Sequence, residues 1–137
     1  MAKLVYDGKD AIFGRLASVV AKDLLKGYFV EVINCEEIII SGDKRLFVKK
    51  ILAKRKMGSG SSMKGPKYIR VADRLIKRMI RGMLPWDKPK GREAFKRLRC
   101  YEGNGPLNEK ELRDAKRIEY NKPLKYSTIK EILSILK

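Results

Sequence analysis

The first 34 residues restrict the fold more than any other stretch of this chain. Lys3–Asp7 alternates weakly and ends at the Asp7-Gly8 turn pair, which reads as a short strand. From Gly14 to Lys26, Leu16, Val20 and Leu24 recur at helical spacing with Ala17 and Ala21 on the same face. Gly27 then stands where a helix C′ residue belongs. Tyr28–Asn34 (YFVEVIN) is rich in β-branched and aromatic residues and reads as a second strand. Strand, helix and strand with links this short form a βαβ unit, so the two strands run parallel with a right-handed crossover.

The pattern continues without a linker or an internal repeat. Glu37–Ser41 (EIIIS) is a further apolar strand, and Ser41 or Asp43 can cap the helix behind it. In that helix Phe47, Val48, Ile51 and Leu52 make the apolar face, while Lys49, Lys50, Lys54 and Arg55 point elsewhere. Met57–Pro66 (MGSGSSMKGP) is a basic Gly/Ser loop, expected to be mobile in the free chain and ordered along a phosphate backbone. Ala72, Leu75, Ile76, Met79, Ile80 and Met83 recur at the spacing of one buried helix face; the helix is expected to end at Gly82, and Pro85 and Pro89 forbid its continuation. Trp86, between the two prolines, reads as a packing group before a base platform, since aromatic platforms come in sets.

Gly91–Arg97 is a short basic helix, and Leu98–Tyr101 returns to the sheet. Asn108 with Glu111 resembles a capping box for a helix running to about Arg117. Thr128 with Glu131 caps the last helix, whose Ile129, Ile132, Leu133 and Leu136 share one face and are expected to pack on the chain's own core. The expectation is one domain over residues 1–137, with a helical C-terminal region at 104–137.

Charge is the second constraint. Between Lys44 and Arg99 stand 20 Lys and Arg against three acids, Asp73, Asp87 and Glu93. That excess of 17 equals the net charge of the whole chain, so the two flanks together are neutral. On the helix after the loop, Arg74, Lys77, Arg78 and Arg81 form a single-sign row opposite the apolar face. Like charges at i,i+4 cost an isolated helix roughly 0.2–0.5 kcal/mol per pair, and an ordinary solvated face mixes signs to avoid this. A localised, single-sign footprint implies a polyanionic partner.

Several function classes drop out. No apolar run approaches the ~18 residues of a membrane span, and the basic helix has no exposed aromatic stripe for a lipid surface. The start MAKLVYDGKD has no apolar signal segment, so a cytoplasmic location is expected. The chain has no histidine and two cysteines far apart in sequence, Cys35 and Cys100, so no zinc set and no imidazole base is available. A disulfide is not expected, and both cysteines read as small buried hydrophobes.

Gly60 and Gly65 have P-loop separation, yet Pro66-Lys67 follows where Lys and then Ser/Thr are required. Gly8 and Gly14 are isolated, so the βαβ opening lacks the dinucleotide fingerprint. Adjacent Glu36 and Glu37 would point to opposite strand faces, a poor acid–base pair. Cations spread over several helices and a loop suit the phosphates of an irregularly folded RNA better than one regular DNA groove.

Three segments carry a family resemblance: GRLAS at Gly14–Ser18, VINCEEIIISG at Val32–Gly42, and IRGMLPWDKPKGREAFKRLRCYEG at Ile80–Gly103. In order and spacing over roughly residues 4–103 they resemble the universal large-subunit ribosomal protein L-thirteen family, and the C-terminal region is similar to its archaeal members. The resemblance implies a three-layer α/β/α fold with a small, mainly parallel four-stranded sheet. It also implies a non-catalytic role, binding large-subunit ribosomal RNA during assembly, with Arg81–Pro85 and Gly91–Arg99 as the RNA-facing signature. Two places depart from the family's usual look. Cys35 and Cys100 replace small or aliphatic residues, and the MGSGSSMKGP loop is this chain's own.

The candidate RNA-binding set is therefore Lys54, Arg55, Lys56, Lys64, Lys67 and Arg70, then Arg74, Lys77, Arg78 and Arg81, then Lys88, Lys90, Arg92, Lys96, Arg97 and Arg99. Expected partners are large-subunit ribosomal RNA and neighbouring ribosomal proteins, with a monomer when free and no cofactor, metal, membrane or small-molecule substrate. Two other readings stay open on the residues: an RNA-binding regulator outside the ribosome, and a small nucleotide-binding α/β enzyme.

Overall fold

The structure, a computed structural model, describes residues 2–58, 60, 61, 65 and 67–136. Strand β1 (Lys3–Asp7) lies parallel to β2 (Phe29–Ile33) in unbroken register, from Lys3 opposite Phe29 to Asp7 opposite Ile33. Helix α1 (Phe13–Leu25) makes the crossover and buries Leu16, Ala17, Val20, Ala21 and Leu24. Gly27 adopts φ +101°, the left-handed C′ conformation its position requires, and its amide bonds the Leu24 carbonyl. The expected βαβ unit is present.

The next segment departs from expectation. Asn34 turns left-handed at φ +54° and Cys35–Glu37 forms a 3-10 turn, which carries the chain out of the sheet. Strand β3 (Ile39–Ser41) is consequently not a member of the main sheet; it pairs antiparallel with β6 (Tyr126–Thr128). Helix α2 (Lys44–Lys56) is capped by the Asp43 carboxylate, which accepts the Arg45 amide at 2.9 Å. Its buried side is narrower than its apolar pattern, because it packs mainly on one neighbour, α6 (Ile129–Leu136). Val48 and Ile51 are buried, Phe47 is half-buried, and Leu52 is 41% exposed.

Helix α3 (Ala72–Arg81) buries Ala72, Leu75, Ile76 and Ile80, whereas Met83 lies beyond its end and is exposed. Helix α4 (Pro89–Lys96) begins with Pro at its first position and leads into β4 (Leu98–Cys100), which pairs parallel with β2. Helix α5 (Glu109–Arg113) has the expected capping box, with the Asn108 amide bonded to Glu111 Oε2 at 3.0 Å. It ends at Arg113, not near Arg117. Lys116–Arg117 instead forms β5, parallel to β1, so the region 104–137 contributes two strands besides its helices. The reason is long-range: the Arg117 guanidinium reaches the buried Asp7 carboxylate at 3.2 Å, and β1 supplies the pairing edge.

The fold is thus α/β with one parallel four-stranded sheet in the order β4-β2-β1-β5. Register partners share a sheet face. Leu4, Tyr6, Val30, Val32 and Leu98 face the main core, which α1, α3, α4 and α6 complete. On the other face Lys3 bridges Glu31 at 3.2 Å and Glu111 of α5 at 2.8 Å, giving a thin third layer. Cys35 is buried and Cys100 half-buried; both are free thiols, and the adjacent Cys100 thiol together with burial pushes the Cys35 thiol up.

Candidate nucleic-acid interface

The basic surface is built on α3 and α4, and tertiary contacts set its geometry. Val71 cannot cap α3 with its side chain, so the Glu102 carboxylate does so from a distant loop, accepting the Ala72 amide at 3.1 Å. With the apolar side of α3 buried, Arg74 and Arg78 project outward and are exposed. Lys77 and Arg81, one turn further round, are half-buried against aromatic rings. The Lys77 ammonium lies 4.9 Å from the Phe95 ring centre, and the Arg81 guanidinium 3.9 Å from that of Trp86. Trp86 and Phe95 meet edge to face at 5.2 Å. These contacts lock α3, the Pro85–Lys88 turn and α4 together. Trp86 is therefore a packing residue with Arg81 over its ring, and Arg78, Arg81, Leu84 and Trp86 line a shallow recess at the carboxyl end of α3.

The start of α4 depends on a backbone approach that only glycine permits. A Cβ on Gly91 would sit 2.1 Å from the Pro85 carbonyl oxygen, which also accepts the Lys88 amide at 3.1 Å. Arg92 Nε donates to the Trp86 carbonyl at 2.9 Å, fixing the same turn from outside. Lys88, Lys90, Arg92 and Lys96 are all exposed. Among the described residues, none of the candidate cations pairs with a carboxylate.

The other candidates are distributed differently. Lys67 and Arg70 are exposed on the approach to α3. Arg99 is exposed on the sheet face away from α3, because its neighbours Leu98 and Cys100 face the core. Lys54 and Lys56 are exposed on α2. Two arginines turn inward: Arg97 Nη2 donates to the Leu24 carbonyl at the end of α1 (2.7 Å), and Arg55 Nη1 donates to Leu136 at the end of α6 (3.2 Å). Each satisfies a terminal helix carbonyl and sits favourably at the negative end of the helix dipole. Lys64, and with it much of the Gly/Ser loop, lies outside the described residues.

A second polar cluster had no local signature. At the carboxyl ends of β1 and β5, Asp7 accepts from Asn34 Nδ2 (2.9 Å), the Lys9 amide (2.9 Å) and Arg117. Nearby, Arg15 lies 4.2 Å from the Tyr120 ring centre. Residues 7, 34 and 117 meet only through the sheet, so no sequence window contains them. Among the described residues no group of three or more His, Cys, Asp or Glu could hold a metal, and no helix is long and apolar enough to cross a membrane.

The sequence profile of the family described as "Ribosomal protein L13" matches residues 2–106, which includes β1 to β4 and the whole α3–α4 unit. Curated relatives agree. The chain is 50% identical over 99 residues to the "Large ribosomal subunit protein uL13" of Methanopyrus kandleri, covering 72% of this chain and 61% of that one. It is 40% identical over 133 residues to the protein of the same name from Archaeoglobus fulgidus, covering 93% and 83%. To that from Haloarcula marismortui it is 36% identical over 135 residues, covering 98% and 91%. On sequence profile, relatives and fold together, this chain belongs to the ribosomal protein L13 family.

Proposed function

We propose that the chain is a non-catalytic constituent of the large ribosomal subunit, located with the ribosome in the cytoplasm, that binds and organises large-subunit ribosomal RNA during assembly. One observation supports this most directly: in a member of this family, α3, the cap of α4 and α4 itself carry Arg74, Arg78, Arg81, Lys88, Lys90, Arg92 and Lys96, with no carboxylate paired to them among the described residues. The binding energy comes from displacing counterions condensed on phosphates, and arginine adds bidentate geometry. Lys67 and Arg70 extend this surface, while Lys54 and Arg99 reach RNA from other sides of the domain. Lys64 belongs to the same reading on charge alone. Arg55, Arg97 and Lys77 serve it indirectly, by holding helix ends and rings in place.

The test is a binding titration against large-subunit ribosomal RNA, small-subunit ribosomal RNA and duplex DNA from about 50 to 200 mM salt, where phosphate-dominated binding weakens steeply. The expected result is tight binding to the large-subunit RNA that survives excess competitor at the higher salt. Equal affinity for all three, vanishing with salt, would leave only a sticky basic domain and refute the proposal. A discrete messenger target bound in preference would favour a regulator outside the ribosome.

A further inference from the structure

We infer that the groove between α2 and α6 is a docking site for an acidic, amphipathic segment of another protein. The groove holds about 420 Å³. Its floor is aliphatic: Val48, Leu52 and Ala53 from α2, with Ile135 from α6. Its rim is cationic, with Arg45, Lys49 and Lys56 and no acid. The α2 residues follow i, i+3, i+4, i+7, i+8, i+11 from Arg45 to Lys56, one continuous stripe about 16 Å long at 1.5 Å per residue. Leu52 is 41% and Ile135 49% exposed, so aliphatic surface in the groove is left open among the described residues. This is the surface onto which a helix of about three turns lays its leucine-type anchors.

Charge and surface chemistry select the occupant. RNA phosphates would satisfy the rim but leave the floor uncovered, because nucleobases stack on aromatic or guanidinium planes and this floor is aliphatic. A second copy of this chain would bring the same three cations against one another. A partner with carboxylates flanking aliphatic anchors satisfies both floor and rim. Lys56, a candidate RNA contact by charge, lies on this rim and belongs with the groove. The inference rests on the proposed ribosomal location only for where the partner is found.

The experiment places a photo-crosslinking benzoylphenylalanine at Leu52, at Ile135 and, as an RNA-facing control, at Lys96, in chains incorporated into large subunits. Each variant is first tested for co-sedimentation with the subunit, then irradiated. The expected result is a protein adduct from positions 52 and 135, on a segment whose mapped sequence is acidic and amphipathic, and an RNA adduct from position 96. Arg45→Glu with Lys49→Glu, rim residues outside the candidate RNA-binding set, should reduce the protein adduct about tenfold without changing sedimentation. A chain that sediments correctly but yields RNA, a second copy of itself or no adduct from positions 52 and 135 would overturn the groove alone. Failure of every variant and of the unmodified chain to sediment with the subunit would overturn the ribosomal proposal, and the groove's setting with it.

Discussion

Two sets of arginines that look alike by charge should separate cleanly in one experiment. Arg74 and Arg78 are exposed on α3, whereas the Arg97 guanidinium donates to Leu24 at the end of α1. Each phosphate contact contributes roughly 0.7–0.9 to the slope of log K against log salt. Arg74→Gln with Arg78→Gln should therefore flatten that slope by about 1.4–1.8. Over a fourfold rise in salt the unaltered chain then loses about tenfold more affinity than the double variant. Because neither side chain is buried, the melting temperature should stay within about 2 °C.

Arg97→Gln should do the reverse. Losing a charge-assisted bond to a helix-terminal carbonyl costs about 1–2 kcal/mol, or roughly 4–8 °C in melting temperature for a domain of this size, with the salt slope unchanged. Filter binding to a large-subunit RNA transcript from about 50 to 200 mM salt gives the slopes, and calorimetry gives the melting temperatures. A slope for Arg97→Gln that flattens as much as for Arg78→Gln would refute the inward assignment. An unchanged slope for the α3 pair would refute the phosphate-facing one.

Two further perturbations test the scaffold. Gly91→Ala must push the α4 backbone off the Pro85 carbonyl, so we expect a loss of about 1–3 kcal/mol and a changed Trp86 emission; an unaltered melting curve would contradict the close approach. Burial and the bonded Asp23 carboxylate push the Tyr6 phenol well above the ordinary tyrosine range. Its folded pKa exceeds its unfolded value, so its contribution to stability is present below about pH 10 and lost as pH rises through the folded pKa. Ultraviolet titration should find Tyr6 still neutral when ordinary tyrosines ionise, and a spectrum in which all six titrate together near pH 10 would contradict this.

What could be read from the sequence follows the range of the forces involved. The βαβ unit, the α3 and α6 faces and the Asn108–Glu111 box are encoded within a few residues, and periodicity and capping chemistry find them. The fate of Glu37–Ser41 is not local: its apolar run suits a strand in either sheet, and the left-handed turn at Asn34 sends it to β6. Lys116–Arg117 carries no strand signature, because its pairing depends on a free β1 edge and on Asp7, over a hundred residues away. The same limit applies to the candidate site. Charge counting located the basic region. It could not distinguish an arginine at a helix carboxyl end, as at positions 55 and 97, from one facing solvent, since both are simply cations in the sequence.

The single-sign row on α3 shows why these two kinds of cation belong together. The pairs Arg74–Arg78 and Lys77–Arg81 each oppose helix formation by roughly 0.2–0.5 kcal/mol. The helix persists because four of its residues are buried in the core and because Phe95 and Trp86 receive the Lys77 and Arg81 cations, each contact contributing about 0.5–1 kcal/mol. The rings that offset the repulsion also fix the angle between α3 and α4, and Gly91 sets how closely α4 approaches the turn between them. A surface of like charges is thereby held in one geometry before any anion arrives. Ordering long cationic side chains on binding would cost about 0.5–1.5 kcal/mol each, so prior restraint of Arg81, on a helix that Lys77 helps to hold, favours a partner whose phosphates already match the spacing of Arg81 and its neighbours. Affinity from charge alone would be indifferent to that spacing. Under the proposed RNA-binding role, the aromatic lock is what would let a basic domain select a particular fold of RNA.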